Sequence, residues 1–274
     1  MVGSALGLGS SFGIMQGRLS PQSERGYQAF PWDTWNVEFA LAAKRHLEHI
    51  EWVLDSWQVA GNPLLSDTRS VSERSQTTGV KIISVCADYL MDRPLDASDA
   101  GSWEVLHRLV DSMQGLGSEW LVVPCVDQSS LREGSSLRRF LRAAETLVEV
   151  LRGTRIRVSL ESDLGPDEFA ALLGHLEPEV IGVNYDIGNS ASLGYSYQHE
   201  LDAYGTRVSL LHVKDRTFRG GSVMLGQGNA DIPGVFRRLT ALKFNGPVTM
   251  QAFRDHEGLV VADAQLEWLR QLMA

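Results

Sequence analysis

The sequence predicts a single α/β domain, a (β/α)8 barrel of the TIM type, on three observations. From residue 12 onward eight short β-type runs alternate with eight longer helical patterns, with turn residues between them, which is the rhythm of repeated βα units around a parallel sheet. A chain of 274 residues is ample for one such barrel, since barrels commonly run to about 250 residues as one unit. No GxGxxG follows the first strand and no GxxxxGK[ST] occurs anywhere, which sets aside the nucleotide-binding open sheets.

In chain order, strands are expected at Phe12 to Gln16, His49 to Val53, Val80 to Cys86, Trp120 to Pro124, Ile156 to Glu161, Val180 to Asp186, Val208 to Val213 and Val248 to Gln251. Helices are expected at Asp33 to Leu47, Asp67 to Thr78, Ser98 to Leu116, Glu133 to Arg152, Pro166 to Leu173, Tyr197 to Tyr204, Ile232 to Leu242 and Leu259 to Met273. Asp33 and Asp67 are expected N-caps, and Gly79, Gly117 and Gly153 stand where helices should end. The opening MVGSALGLGS is small, Gly/Ser-rich and aperiodic, so residues 1–11 are expected to be a flexible extension and 12–274 the barrel.

Composition narrows the function. Lys plus Arg number 25 against 34 Asp plus Glu, and a net charge of -9 repels a phosphate backbone, so no nucleic-acid partner is expected. The two cysteines, Cys86 and Cys125, sit in apolar runs without CxxC spacing and read as core thiols of a reducing compartment. No apolar run is long enough to span a bilayer and the N-terminus lacks a basic signal region, so the expectation is a cytoplasmic protein with no membrane partner.

Strand side chains alternate between the helix-facing surface and the lumen, so parity sorts them. In the fifth strand Ile156, Val158 and Leu160 oppose Arg157, Ser159 and Glu161; in the sixth Ile181, Val183 and Tyr185 oppose Gly182, Asn184 and Asp186. In the second Ile50 and Trp52 oppose His49 and Glu51, and in the eighth Val248 and Met250 oppose Thr249 and Gln251. The apolar sets should pack on helices, which leaves Glu51, Glu161, Asp186 and Gln251 in the lumen near the C-terminal strand ends, where barrel active sites lie. The seventh strand fits less cleanly, because His212 shares its parity with Val208 and Leu210. Glu161, Asp186, His212 and Gln251 would then converge as three oxygen donors and one imidazole nitrogen. That set suits one divalent ion, Mn²⁺, Co²⁺ or Mg²⁺ before a thiolate-rich zinc site.

The motifs GIMQGRLSP (13–21), FPWDTW (30–35), IEW (50–52), LESD around Glu161, YDIGN (185–189), HVKDR (212–216) and LGQGNAD (225–231) together resemble the xylose-isomerase-like TIM barrels, the sugar phosphate isomerases and epimerases that include ketose 3-epimerases and inosose isomerases. The resemblance implies a metal held by Glu161, Asp186, His212 and residue 251, where the family's second glutamate is here Gln251. For that donor set Mn²⁺ is the first choice of metal, with Co²⁺, Mg²⁺ or Zn²⁺ as alternatives. An amide can offer its carbonyl oxygen to a cation but exchanges no proton near neutral pH.

The expected activity is therefore isomerisation or epimerisation of a sugar, sugar phosphate or related polyol ketone through an enediolate, with Glu161 as base and Glu51 as a second acid or base. Substrate contacts are expected from Arg18, Trp52, Asn189, Lys214, Arg216 and Arg254 near the strand ends. A dehydratase or lyase acting on an inosose-like ketone and a non-catalytic sugar-binding relative are the alternatives. A histidine-rich multi-zinc phosphodiesterase is disfavoured, because YDIGN and HVKD supply too few histidines. The partner is a small-molecule sugar or polyol, and self-association into a homo-oligomer is allowed by the resemblance.

Overall fold

The computed structural model describes residues 11–96 and 98–273. Its barrel strands are β1 (Phe12–Met15), β2 (His49–Val53), β3 (Lys81–Cys86), β4 (Trp120–Cys125), β5 (Arg157–Ser162), β6 (Ile181–Asp186), β7 (Val208–Val213) and β8 (Val248–Met250). They close in the order β1-β8-β7-β6-β5-β4-β3-β2, every neighbouring pair parallel. Each expected strand is present to within a residue, and helices 166–173, 197–204 and 259–273 fall where the periodicity puts them. The expected extension lies outside the described residues except for Ser11, whose hydroxyl meets His49 Nδ1 at 2.9 Å.

Local chemistry explains most helix ends. Asp67 caps the helix Thr68–Thr78 by accepting from the Ser70 amide, and Gly79 ends it in the left-handed conformation at φ 75°. Asp33 does not cap as expected: the first ordered helix is Trp35–Lys44, and Thr34 stands at its N-cap without a side-chain hydrogen bond. Short helices at 63–66, 89–92 and 187–193, and a hairpin pairing Asp215–Arg216 with Ser222–Val223, carry no periodic signal long enough to be read from sequence.

Two layers of packing result. Ile50, Trp52, Val158, Leu160, Ile181, Val183, Tyr185, Val248 and Met250 all join the core between strands and helices, as parity requires. Inside the barrel a smaller apolar plug of Met15, Val53, Cys86, Trp120, Val122 and Leu210 fills the lumen. This plug resolves the misfit of the seventh strand. Register shifts by one residue between Val183/Val208 and Asn184/Leu210, so β7 carries an extra residue at Ser209. Val208 consequently packs on the helix side, while Leu210 and His212 both turn inward. The same bulge places Asp186 directly opposite His212.

Lower in the lumen, His49 is wholly buried, with Nε2 3.0 Å from Thr249 Oγ1. Gly13 is obligatory beside it, since a Cβ there would overlap the imidazole. Burial lowers the His49 pKa from 6.5 to about 4, against the opposing pull of Glu51. Between those values the unfolded chain holds a proton that the folded chain does not. Stability is therefore complete above about pH 6.5 and declines toward pH 4, by up to ~1.4 kcal/mol per pH unit. In His49→Gln the fall in Tm from about pH 7 to pH 4.5 should be shallower than in the unsubstituted protein, and an equal fall would refute this assignment.

Candidate metal centre and active site

The C-terminal ends of β5, β6 and β7 bring Glu161, Asp186 and His212 together, with one donor atom of each within 4.8 Å of the others. All three are buried. Gln251, one residue past β8, donates its backbone amide to Val213 O, and its side chain lines the same cavity as Glu161. Two enclosed oxygens here, Asp186 Oδ2 and Gln251 Oε1, have no hydrogen-bond donor. Lys214 Nζ approaches the first at 3.6 Å, an ion pair beyond hydrogen-bond range. Buried carbonyl and carboxylate oxygens are normally satisfied, so a pair of orphans beside a carboxylate and an imidazole fits a cation. Glu161, Asp186, His212 and Gln251 are the residues that could hold it.

Supporting groups orient each of these. Asn184 Nδ2 lies 2.8 Å from Glu161 Oε2 and 3.0 Å from His212 Nδ1, and Asn189 Nδ2 donates to Glu161 Oε1 at 2.6 Å. Asp186 Oδ1 accepts from the Asn189 amide and so starts the helix Ile187–Leu193. Behind the imidazole, Glu51 Oε1 sits 2.7 Å from His212 Nε2, an ion-pair contact with the N–H directed off the oxygen. Ser84 donates to the other Glu51 oxygen at 2.7 Å. The extra residue that β3 carries between its pairings with His49 and Glu51 is what brings Ser84 to that place.

Electrostatics follow from this crowding. Burial first, and then the neighbouring Asp186 carboxylate, push Glu161 up from 4.5 to about 7. For His212, burial pulls the pKa down, but Glu51 outweighs it, with help from Glu161 and Asp186, and lifts it to about 9.

The cavity above these groups holds about 280 Å³, just under the roughly 300 Å³ at which typical ligand pockets begin. Glu161, Asn189, Lys214, Arg216 and Gln251 line it, together with Tyr27, Gln28 and Asp88. Arg216 is already engaged, donating to Asn189 Oδ1 and to Gly220 O. Glu51 lies deeper, fully buried between Ser84 and His212, outside the cavity wall.

Three expected substrate contacts lie elsewhere. Trp52 is fully buried on the helix side, its ring against Phe30 and Trp35 and its Nε1 donating to Asn62 Oδ1 at 3.0 Å. Its odd-even position had already assigned it to that face, and proximity to the rim in sequence does not turn the ring around. Arg254 donates to Pro21 O and Tyr27 O, and Arg18 to Ala252 O and Gln28 Oε1, with the Arg18 guanidinium 4.7 Å from the Tyr27 ring. Both arginines are buried braces of the wall that Tyr27 and Gln28 form. Glu38 completes the brace, accepting from the Gly17 amide and the Ser20 hydroxyl.

The Gly-rich stretch after β7 is folded onto a single carboxylate. Asp215 accepts from the amides of Gly226, Gly228 and Ala230, and a Cβ at Gly228 would overlap it. Asn184 and Asp88 were absent from the expected site. Asn184 could have been found, since it shares the lumen parity of Asp186 two residues later.

The chain belongs to the xylose isomerase-like TIM barrel family, whose model matches residues 39–272. Among individual relatives, the 2-epi-5-epi-valiolone 7-phosphate 2-epimerase of Actinoplanes sp. is 28% identical over 207 residues, 70% of this chain and 73% of that protein. Among solved structures, the IOLI protein with a bound zinc atom aligns with a TM-score of 0.71 at 13% identity, covering 96% of both chains. A D-allulose 3-epimerase from Methylomonas sp. in complex with D-allulose aligns at 0.67 and 19% identity, covering 98% of this chain and 99% of that one. A Mycobacterium smegmatis barrel in complex with magnesium aligns at 0.70 and 16% identity, over 95% and 96% of the two chains. At such identities these three establish likeness of fold. Among the described residues no helix is long and apolar enough to cross a membrane.

Proposed function

We propose that this chain is a divalent-metal-dependent isomerase or epimerase of a sugar, sugar phosphate or related polyol ketone, working through an enediolate. The observation that carries the reading is the pair of enclosed, unpartnered oxygens, Asp186 Oδ2 and Gln251 Oε1, beside the Glu161, Asp186 and His212 cluster. The 28% identical relative is itself an epimerase of a phosphorylated substrate, 2-epi-5-epi-valiolone 7-phosphate, which supports the same class. Two carboxylates, a neutral amide and an imidazole suit Mn²⁺ best, with Co²⁺, Mg²⁺ or Zn²⁺ as alternatives. A divalent ion held there supplies charge that polarises a substrate carbonyl.

The chain's own residues do the rest. Glu161 lines the cavity with its carboxyl held by Asn184 and Asn189, positioned to take the proton from the carbon next to the carbonyl. Glu51, packed on His212, orients the imidazole rather than meeting substrate. Lys214 and Asn189 line the cavity as polar groups, with Asn189 held between Glu161 and Arg216. The acidic chain and the two unpaired buried cysteines support a small-molecule substrate and a cytoplasmic setting over nucleic acid or an oxidising compartment.

Two measurements test this. Mn²⁺ at about 100 times its Kd should stabilise the fold by about 2.7 kcal/mol, read as a rise in Tm. No rise, with no ion in protein purified without chelator, would favour a sugar-binding relative without turnover. Incubation in D2O with Mn²⁺ and a panel of free and phosphorylated ketoses should place deuterium at one carbon. A product lighter by one water would instead identify a dehydratase.

Gln251→Glu should tighten Mn²⁺ binding. Two carboxylates bring a divalent site close to neutral, whereas a third leaves it one negative charge in excess and attracts the ion more strongly. Unchanged affinity in a titration would mean that residue 251 does not reach the ion.

A further inference from the structure

A neutral amide at 251 leaves an epimerase one proton-exchanging group short, and resting on the metal-dependent reading above we propose that Asp88 is that second group, exchanging a proton with the substrate in the same cavity as Glu161. Asp88 lies two residues beyond β3, at the start of the short helix Tyr89–Asp92. Its side chain lines the wall together with Glu161, Gln251 and Lys214. Cys86 Sγ donates to Oδ1 at 3.1 Å, which fixes the carboxyl plane, while Oδ2 is enclosed and has no partner. An enclosed carboxyl oxygen that borders a cavity and lacks a donor is placed to meet a group entering that cavity.

The other carboxyls of the wall are committed or solvated. Asp163 accepts from Ser130 and pairs with Arg132 at 3.3 Å, and Asp127 is exposed on the loop after β4. Asp88 alone combines an unpartnered oxygen with shelter from water. Burial raises its pKa from 3.8 to about 6, against the opposing pull of the nearby Cys86 and Gln28 side chains, toward the range in which a carboxyl serves as acid or base.

The proton balance is complete without a further reactant. The Glu161 carboxylate takes the α proton, and the C–H electron pair moves into the C–C bond as the carbonyl π pair moves to oxygen. The Asp88 acid then delivers its proton to the other face of the same carbon, the electrons return, and the carbonyl re-forms with inverted configuration. Glu161 ends protonated and Asp88 ionised, and exchange with water resets both.

The test compares the full-length protein with Asp88→Asn and Asp88→Glu, each with Mn²⁺, in D2O, on D-allulose, D-fructose, D-fructose 6-phosphate and scyllo-inosose. Asp88→Asn should lose inverted product by about 10²–10⁴-fold while deuterium still enters recovered substrate at close to the original rate, because the Glu161 half of the reaction survives. Asp88→Glu should regain part of the inversion, and the Mn²⁺-dependent rise in Tm should be the same in all three proteins. Asp88→Asn forming product at close to the original rate, or losing exchange and product in equal proportion, overturns the assignment. Absence of exchange by the unsubstituted protein on every probe overturns the proposed function and this assignment with it.

Discussion

Glu161→Gln is expected to lower deuterium exchange into substrate by about 10²–10⁴-fold, and, with one carboxylate fewer around the ion, to weaken Mn²⁺ binding. The amide keeps one oxygen and nearly the same shape, so one of Asn184 and Asn189 keeps its acceptor while the other faces an NH2 group. What disappears is a group able to take a proton at the carbon facing the cavity. Loss of exchange that persists when Mn²⁺ is raised until the Tm shift is restored separates that role from metal ligation. Exchange continuing at close to the original rate would remove Glu161 from the chemistry and move the search to Asp88, the other enclosed carboxyl on the wall.

Trp52→Ala is expected to destabilise the fold by about 3–5 kcal/mol, measured by urea unfolding. The indole is fully buried, with ring centroids 5.3 Å from Phe30 and 5.6 Å from Trp35, and its removal also leaves Asn62 Oδ1 without the indole donor. Asn62 still caps the Leu64 amide, so the loss should be dominated by the cavity. Trp52→Phe should recover most of the packing and leave KM for any identified sugar unchanged. A large rise in KM at unaltered stability would return Trp52 to the substrate wall and contradict its helix-side position.

These two substitutions mark the boundary between what parity reveals and what it cannot. Alternation in β2, β5, β6 and β8 was enough to send Glu51, Glu161, Asp186 and Gln251 inward and Trp52 outward, because a strand has only two faces and the helix side must be apolar. The expectation of Trp52 as a sugar contact conflicted with its own parity, and the structure upholds the parity. Arg18 and Arg254 could not be sorted this way. They stand beyond the strand ends, where no period constrains a side chain, and their partners are carbonyls of Pro21, Tyr27 and Ala252 and the Gln28 amide oxygen. Asp88 escaped notice for the same reason.

Hydrophobic periodicity and turn residues by themselves determined the eight βα units, their order and the inward carboxylates, since those depend on local geometry that repeats along the chain. Tertiary structure alone decided that Asp186 faces His212, that Glu51 backs the imidazole instead of lining the pocket, and that two oxygens stay unpaired beside Glu161. The physical reason is register. One extra residue at Ser209 flips the inward set of β7 and slides His212 level with Asp186, a displacement set by pairing across strands and invisible in either strand read on its own.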